Sequence, residues 1–179
     1  MRADIETILF SEQVLDVRLK ELGEVITKDY EGKELTIVGI LKGSTIFTSD
    51  LARKIDLPLQ LDFMAVSSYG SATESSGVVK ILKDLDSSIE GKHILIVEDI
   101  VDSGLTLNYH KAILENRNAA SVKICTLLDK PARRKQEVEI NYCGFEVPDE
   151  FIVGYGIDYA EKYRNLPYIG VLKRSVYER

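Results

Sequence analysis

The sequence predicts an α/β fold: a single domain with a mainly parallel, twisted sheet flanked by helices. Two observations lead there. Residues 35–41 (L-T-I-V-G-I-L), 94–97 (I-L-I-V) and 122–128 (V-K-I-C-T-L-L) are almost continuously apolar, as strands buried on both faces must be. The first two run into a short loop of small and polar residues and then into apolar residues at helical spacing. Strand, loop and helix in that order build a sheet covered on both sides.

Size and composition agree. The 179 residues suffice for one domain with a sizeable core, and 45% hydrophobic with 29% charged residues is the balance of a globular protein. A net charge of −6 argues against nucleic acid as a main partner. Cys125 and Cys143 lie far apart, and Cys125 falls in an apolar run as a small core residue. His93 and His110 do not form a zinc spacing. With no secretory leader or long apolar segment in view, the expected location is the cytoplasm, away from membranes.

Taken in order, Ile5, Ile8, Leu9 and Phe10 suit a short strand, and Ser11 suits a helix N-cap. Leu15, Leu19, Leu22 and Ile26 recur at helical spacing, with Gly32 as the stop. After the strand at 35–41 come Lys42, Gly43, Ser44 and Thr45, then a helix with Phe47, Leu51 and Ile55 inward. A lysine and a glycine at such a junction suit an anion, or else are a surface charge and a turn residue. Leu59, Leu61 and Phe63 alternate with Gln60 and Asp62, predicting a half-buried strand with the apolar three inward. Residues 67–77 (S-S-Y-G-S-A-T-E-S-S-G) have no apolar period, as expected of a lid. Val79, Ile81 and Leu82 resume a strand.

The segment 94–107 (I-L-I-V-E-D-I-V-D-S-G-L-T-L) organises the rest. Its strand is followed by Glu98, Asp99 and Asp102, then by the small turn Ser103, Gly104, Leu105 and Thr106. A helix follows with Leu105, Tyr109 and Ile113 as its stripe, flanked by His110 and Leu114. Free N–H groups at a helix start beyond a strand end bind anions. An N-cap explains one acid, not three. A ligand with a phosphate, sugar hydroxyls and a bound cation fits both features. Farther on, Lys130 and Pro131 follow the strand at 122–128, and Arg133, Arg134 and Lys135 have the look of a solvated basic run. Residues 151–153 suggest a strand, followed by a turn with Asp158 and, six residues on, Arg164; residues 168–172 suggest a final strand. Neither a dinucleotide fingerprint nor a P-loop is present.

The 94–107 segment resembles the phosphoribosyl-pyrophosphate (PRPP) motif of the type I phosphoribosyltransferases. With L-K-G at 41–43, S-S-Y-G at 67–70, L-L-D-K-P at 127–131 and P-D-E-F-I-V-G-Y-G-I-D-Y at 148–159, most of the chain is similar to the bacterial hypoxanthine(-guanine) branch of that family. The resemblance implies a core at about 35–155 with a small hood from the terminal segments. It implies transfer of a phosphoribosyl group from PRPP to a 6-oxopurine, with Mg²⁺ as cofactor and a homodimer or homotetramer as the assembly.

Site roles follow from the same resemblance. Glu98 and Asp99 would meet ribose hydroxyls and metal, and Asp158 a second metal position. The turn of Ser103, Gly104, Leu105 and Thr106 would hold the 5′-phosphate. Lys42, Gly43 and Arg164 would take the pyrophosphate, with a cis peptide between Lys42 and Gly43. Ser68 and Tyr69 would belong to the mobile catalytic loop. Asp102 would handle a base proton at N7, Lys130 would donate to O6, Phe151 would stack on the base, and the Ile152 backbone would meet its edge. One departure stands out: Leu105 replaces a lysine common after the turn glycine, leaving less positive charge for the phosphate. Rival functions are a xanthine- or adenine-preferring transferase, a PRPP-sensing regulator on the same fold, and a phosphotransfer protein with Asp102 as nucleophile. The acidic net charge weighs against the regulator, and a phosphate trapped on the protein would identify the last.

Overall fold

The computed structural model describes residues 1–68 and 79–178. Strand β1 (Ile5–Phe10) leads into helix α1 (Glu12–Asp29), whose N-cap Ser11 accepts the Val14 N–H at 3.4 Å. Then follow β2 (Leu35–Ile40), α2 (Thr45–Ala52), β3 (Leu59–Ser68), β4 (Val79–Lys83), β5 (His93–Val101), α3 (Leu105–Glu115), β6 (Ser121–Asp129), β7 (Tyr142–Glu146), β8 (Ile152–Val153), β9 (Ile169–Leu172) and a last turn of helix, α4 (Arg174–Tyr177).

Among the described residues the main sheet runs β4-β3-β2-β5-β6-β7, with every pairing parallel except β3 with β4. The apolar runs at β2, β5 and β6 form its centre, as their continuous hydrophobicity requires. Helices α1 and α2 cover one face: Leu15, Leu19, Ile26, Phe47 and Leu51 pack there with Ile37, Leu95 and Val97. Helix α3 covers the other, where Leu107 and Leu114 meet Val38, Ile94 and Ile96. Both ends of the chain meet in the small antiparallel sheet β1-β9-β8, the expected hood. Arg18 ties α1 to β7: its Nε donates to the Gly144 carbonyl at 2.9 Å and an Nη to that of Cys143 at 2.8 Å.

Several details depart from the sequence pattern. The buried stripe of α3 is Leu107, His110 and Leu114, whereas Leu105 is 47% exposed. The helix is therefore rotated from the expected Leu105, Tyr109 and Ile113 face, because its start is set by the turn before it. In β3, Met64 is fully buried and Leu61 is 46% exposed, reversing the predicted alternation at that end; α2 lies over β2 and β5 and leaves Leu61 uncovered. Strand β7 and helix α4 have no clear sequence signal, and Ile55 is buried beyond the end of α2.

Phe47 has no exposed surface and packs between α2 and the sheet. Phe47→Ala is expected to destabilise the fold by about 3–5 kcal/mol, the usual cost of emptying a buried aromatic site. Equilibrium urea unfolding measures it, and a change under ~1 kcal/mol would mean that the α2 face repacks freely.

Candidate active site

The main sheet reverses its order of connection between β2 and β5. From β2 the chain crosses to β3 on one side, and from β5 to β6 on the other. Ligands of open α/β sheets bind at the carboxyl ends of strands at such a point. A cavity of about 290 Å³ lies here, lined by Glu98, Asp99, Asp102, Ser103, Gly104, Thr106 and His110 among others. The 94–107 segment thus gathers most of its polar residues around one space.

Glu98 and Asp99 stand side by side at the cavity wall, and Asp99 Oδ1 accepts the Ile100 N–H at 2.7 Å. Burial raises both carboxyls, Glu98 well above the usual range, with the Asp99 charge adding to its shift. The Lys42-Gly43 loop packs directly against this pair, since a Cβ on Gly43 would collide with the Asp99 carboxylate. Only glycine lets the two loops approach so closely. The cis peptide of this loop lies between Leu41 and Lys42, one bond earlier than expected between Lys42 and Gly43.

Gly104 caps α3 with φ +83°, a conformation in which a side chain is strained. A Cβ there would also strike the Gln136 carbonyl and Val138. The segment after β6 therefore lies under the turn at 103–106, and the Ser103 carbonyl accepts the Lys135 and Gln136 N–H groups at 2.9 and 3.0 Å. Leu105 points largely to solvent and does not line the cavity. Gly104→Ala is expected to cost at least about 1–2 kcal/mol of stability from the left-handed backbone alone. Thermal unfolding reads the loss, and an unchanged midpoint would show that the turn re-forms without glycine.

Arg134 corrects the expectation of a solvated basic run. Its side chain is only 17% exposed, and it forms an ion pair with Asp129 while its Nε donates to the Asp102 carbonyl at 3.0 Å. It ties the Asp102 turn to the end of β6. No local pattern marks it, because the partner it braces lies thirty-two residues away. Arg133, by contrast, stays at the surface, paired with Asp149 at 2.6 Å.

Lys130 lies just past β6, 7% exposed, and its Nζ donates to the Glu150 carbonyl at 2.8 Å. Its backbone N–H binds the Val101 carbonyl at 2.9 Å, which seats it beside the Asp102 turn. Burial lowers its pKa, opposed by the charges of Asp102, Asp149 and Glu150. Phe151 stacks on Tyr177 at 4.6 Å and meets Tyr159 edge-on at 5.3 Å, so the hood already holds part of its ring. Ile152 is buried, its backbone paired with Val171.

Asp158 and Arg164 form an ion pair at 2.9 Å, and Arg164 also donates to the Gly156 carbonyl at 2.8 Å. Gly156 lies so close to Gly43 that a Cβ there would strike the Gly43 carbonyl. This brings Arg164 to the Lys42-Gly43 loop, where Glu161 pairs with Lys42 at 3.0 Å. Glu161 carries no sequence signal, its partner Lys42 being 119 residues away. Ser68 ends β3, while Tyr69 and most of the expected lid lie outside the described residues.

The chain belongs to the phosphoribosyltransferase family: the family described as the phosphoribosyl transferase domain matches residues 11–160. Within it, the chain is 56% identical over 178 residues to the hypoxanthine-guanine phosphoribosyltransferase of Bacillus subtilis, covering 99% of each. It superposes on a solved hypoxanthine phosphoribosyltransferase of Staphylococcus aureus with a TM-score of 0.97 at 54% identity, over 100% of this chain and 97% of that one. It is also 55% identical over 177 residues to the bifunctional protein TilS/HprT of Listeria monocytogenes, where it spans 99% of its own length and 27% of that relative.

Proposed function

We propose that the chain transfers the 5-phosphoribosyl group of PRPP to hypoxanthine, guanine or both, giving the nucleoside monophosphate and pyrophosphate in purine salvage. The observation that carries this reading is the meeting, at the switch point between β2 and β5, of an acid pair, an anion turn, a lysine-glycine loop and a buried lysine. The 99% coverage and 56% identity with the Bacillus subtilis enzyme support it. We take the chain as one phosphoribosyltransferase domain, with its core at about 35–155 and a hood from the terminal segments. Its setting is cytoplasmic, as a homodimer or homotetramer. Among the described residues no helix is long and apolar enough to cross a membrane.

The ligand set fits Mg²⁺. The described residues hold no cluster of three or more metal-type side chains, only the Glu98–Asp99 pair at the cavity and Asp158 beside Arg164. Mg²⁺ favours this arrangement: one or two carboxylates, with water and substrate phosphate oxygens completing the shell. The buried acid pair also gains from a cation, since burial raises both carboxyls and the Asp99 charge raises Glu98 further. When bound, the ion supplies charge neutralisation of the leaving pyrophosphate.

The remaining work falls to the chain. Backbone N–H groups of the Ser103–Thr106 turn, with the two hydroxyls, hold the 5′-phosphate. Glu98 and Asp99 accept from the ribose hydroxyls. Lys42, the Gly43 backbone and Arg164 stabilise negative charge as the bond at C1 breaks. Asp102 accepts the base proton at N7 as N9 bonds to C1. Lys130 donates to O6, and Phe151 stacks on the ring. A pyrophosphate-release assay with PRPP and Mg²⁺ tests the proposal. Release is expected with hypoxanthine or guanine and not with adenine; release with xanthine alone would move the chain to the xanthine-preferring class, and release with none would refute transfer.

A further inference from the structure

Both cations assigned to the pyrophosphate are held by one carboxylate. Glu161 Oε2 lies 3.0 Å from Lys42 Nζ, and Glu161 Oε1 lies 3.5 Å from an Arg164 Nη. The placement is built by the chain. Tyr159 and Lys162 exchange backbone hydrogen bonds of 3.1 and 3.0 Å, closing a two-residue turn on Ala160 and Glu161. Both central residues have positive φ, +49° and +61°, as a type I′ turn requires. Such turns favour Asn and Gly, so alanine and glutamate adopt this backbone at a cost. The Glu161 N–H is further fixed on Asp158 Oδ2 at 2.8 Å. What the strained turn achieves is to lay a carboxylate across Lys42 and Arg164.

The contact is also easily broken. Lys42 and Glu161 are 69% and 66% exposed, so their attraction is screened by water and salt. A pyrophosphate group carries more charge and several oxygens, and it can engage both cations in the same place. Resting on the transferase reading of this site, we propose that Glu161 is an internal competitor of pyrophosphate, covering Lys42 and Arg164 in the open site and returning to them as the polyanion leaves. It weakens binding of PRPP and pyrophosphate and hastens release of the product. Asp158 does not duplicate it, since among the described residues Asp158 pairs with Arg164 and not with Lys42, and it accepts the Glu161 N–H.

The test is calorimetric titration of magnesium pyrophosphate into the wild-type protein, Glu161→Gln, Lys42→Met and the double variant, with thermal unfolding confirming that each is folded. Glutamine keeps the shape and loses the charge. The exposed pair with Lys42 and the half-exposed pair with Arg164 together correspond to roughly two- to thirtyfold in affinity. Glu161→Gln is expected to bind pyrophosphate tighter by that factor at low salt, with the gain shrinking as salt rises and with slower dissociation by stopped flow. In the Lys42→Met background the gain should fall by at least half, which a merely structural role for Glu161 does not predict. Equal or weaker binding by a folded Glu161→Gln overturns the proposal alone. No pyrophosphate binding by the wild type overturns the transferase reading and the proposal together.

Discussion

Asp102→Asn is expected to leave PRPP binding nearly intact and to lower turnover by about 10²–10⁴, the usual worth of a positioned acid–base group. Asp102 sits at the cavity wall with one carboxylate oxygen, Oδ1, buried and without a hydrogen-bond partner among the described residues. A buried acceptor left open is costly in a fold and has a use when a proton must be taken up. Its backbone is held separately, through the Arg134 hydrogen bond to its carbonyl. Asparagine therefore preserves the turn and removes only the proton acceptor. Steady-state kinetics with saturating PRPP, alongside direct titration of PRPP, separate the two effects. Turnover near the wild-type level would remove Asp102 from the mechanism, and a parallel loss of PRPP affinity would make it a binding residue.

Lys130→Met is expected to impair use of the purine base by ten- to a hundredfold or more, with little effect on PRPP. A charge-assisted hydrogen bond contributes roughly 1.5–3 kcal/mol. Methionine fills the same narrow space without the donor. The ammonium already binds the Glu150 carbonyl, so it approaches the base with its position set. Its pKa is held below the ordinary lysine value of 10.5 by burial. The sign of the pH effect follows: the donor is present below that pKa and is lost as pH rises through it. Wild-type kcat/KM for the base should therefore fall on the alkaline side earlier than an exposed lysine would dictate, and Lys130→Met should lack that limb. A rise in KM for PRPP with KM for the base unchanged would make Lys130 a phosphate ligand instead.

The two variants differ in what else they disturb. Asp102→Asn leaves every hydrogen bond of the turn in place, whereas Lys130→Met strips the Glu150 carbonyl of its donor. Some loss of stability is thus expected from the second and little from the first, and thermal unfolding of both distinguishes a folding defect from a chemical one.

The sequence by itself determined the sheet centre, the covering helices and the residues of the strand-end loops. Those features are local. A strand buried on both faces must be apolar throughout, as β2, β5 and β6 are, and a helix that follows a strand end must present free N–H groups there. The order of acids, glycine and hydroxyls at 98–106 therefore carried its chemistry in one stretch. Tertiary structure alone decided what depends on distant partners. The rotation of α3 onto Leu107 and His110 is set by how the Gly104 turn packs over the chain near Gln136. The exposure of Leu61 follows from where α2 comes to lie. Arg134 became a brace rather than a surface charge because the fold brings Asp129 and the Asp102 carbonyl to it. Glu161 came to face Lys42 across 119 residues because Gly43 and Gly156 allow two loops to touch. No periodicity records such contacts, since charge and backbone pairing act through space and each partner alone has the composition of ordinary surface.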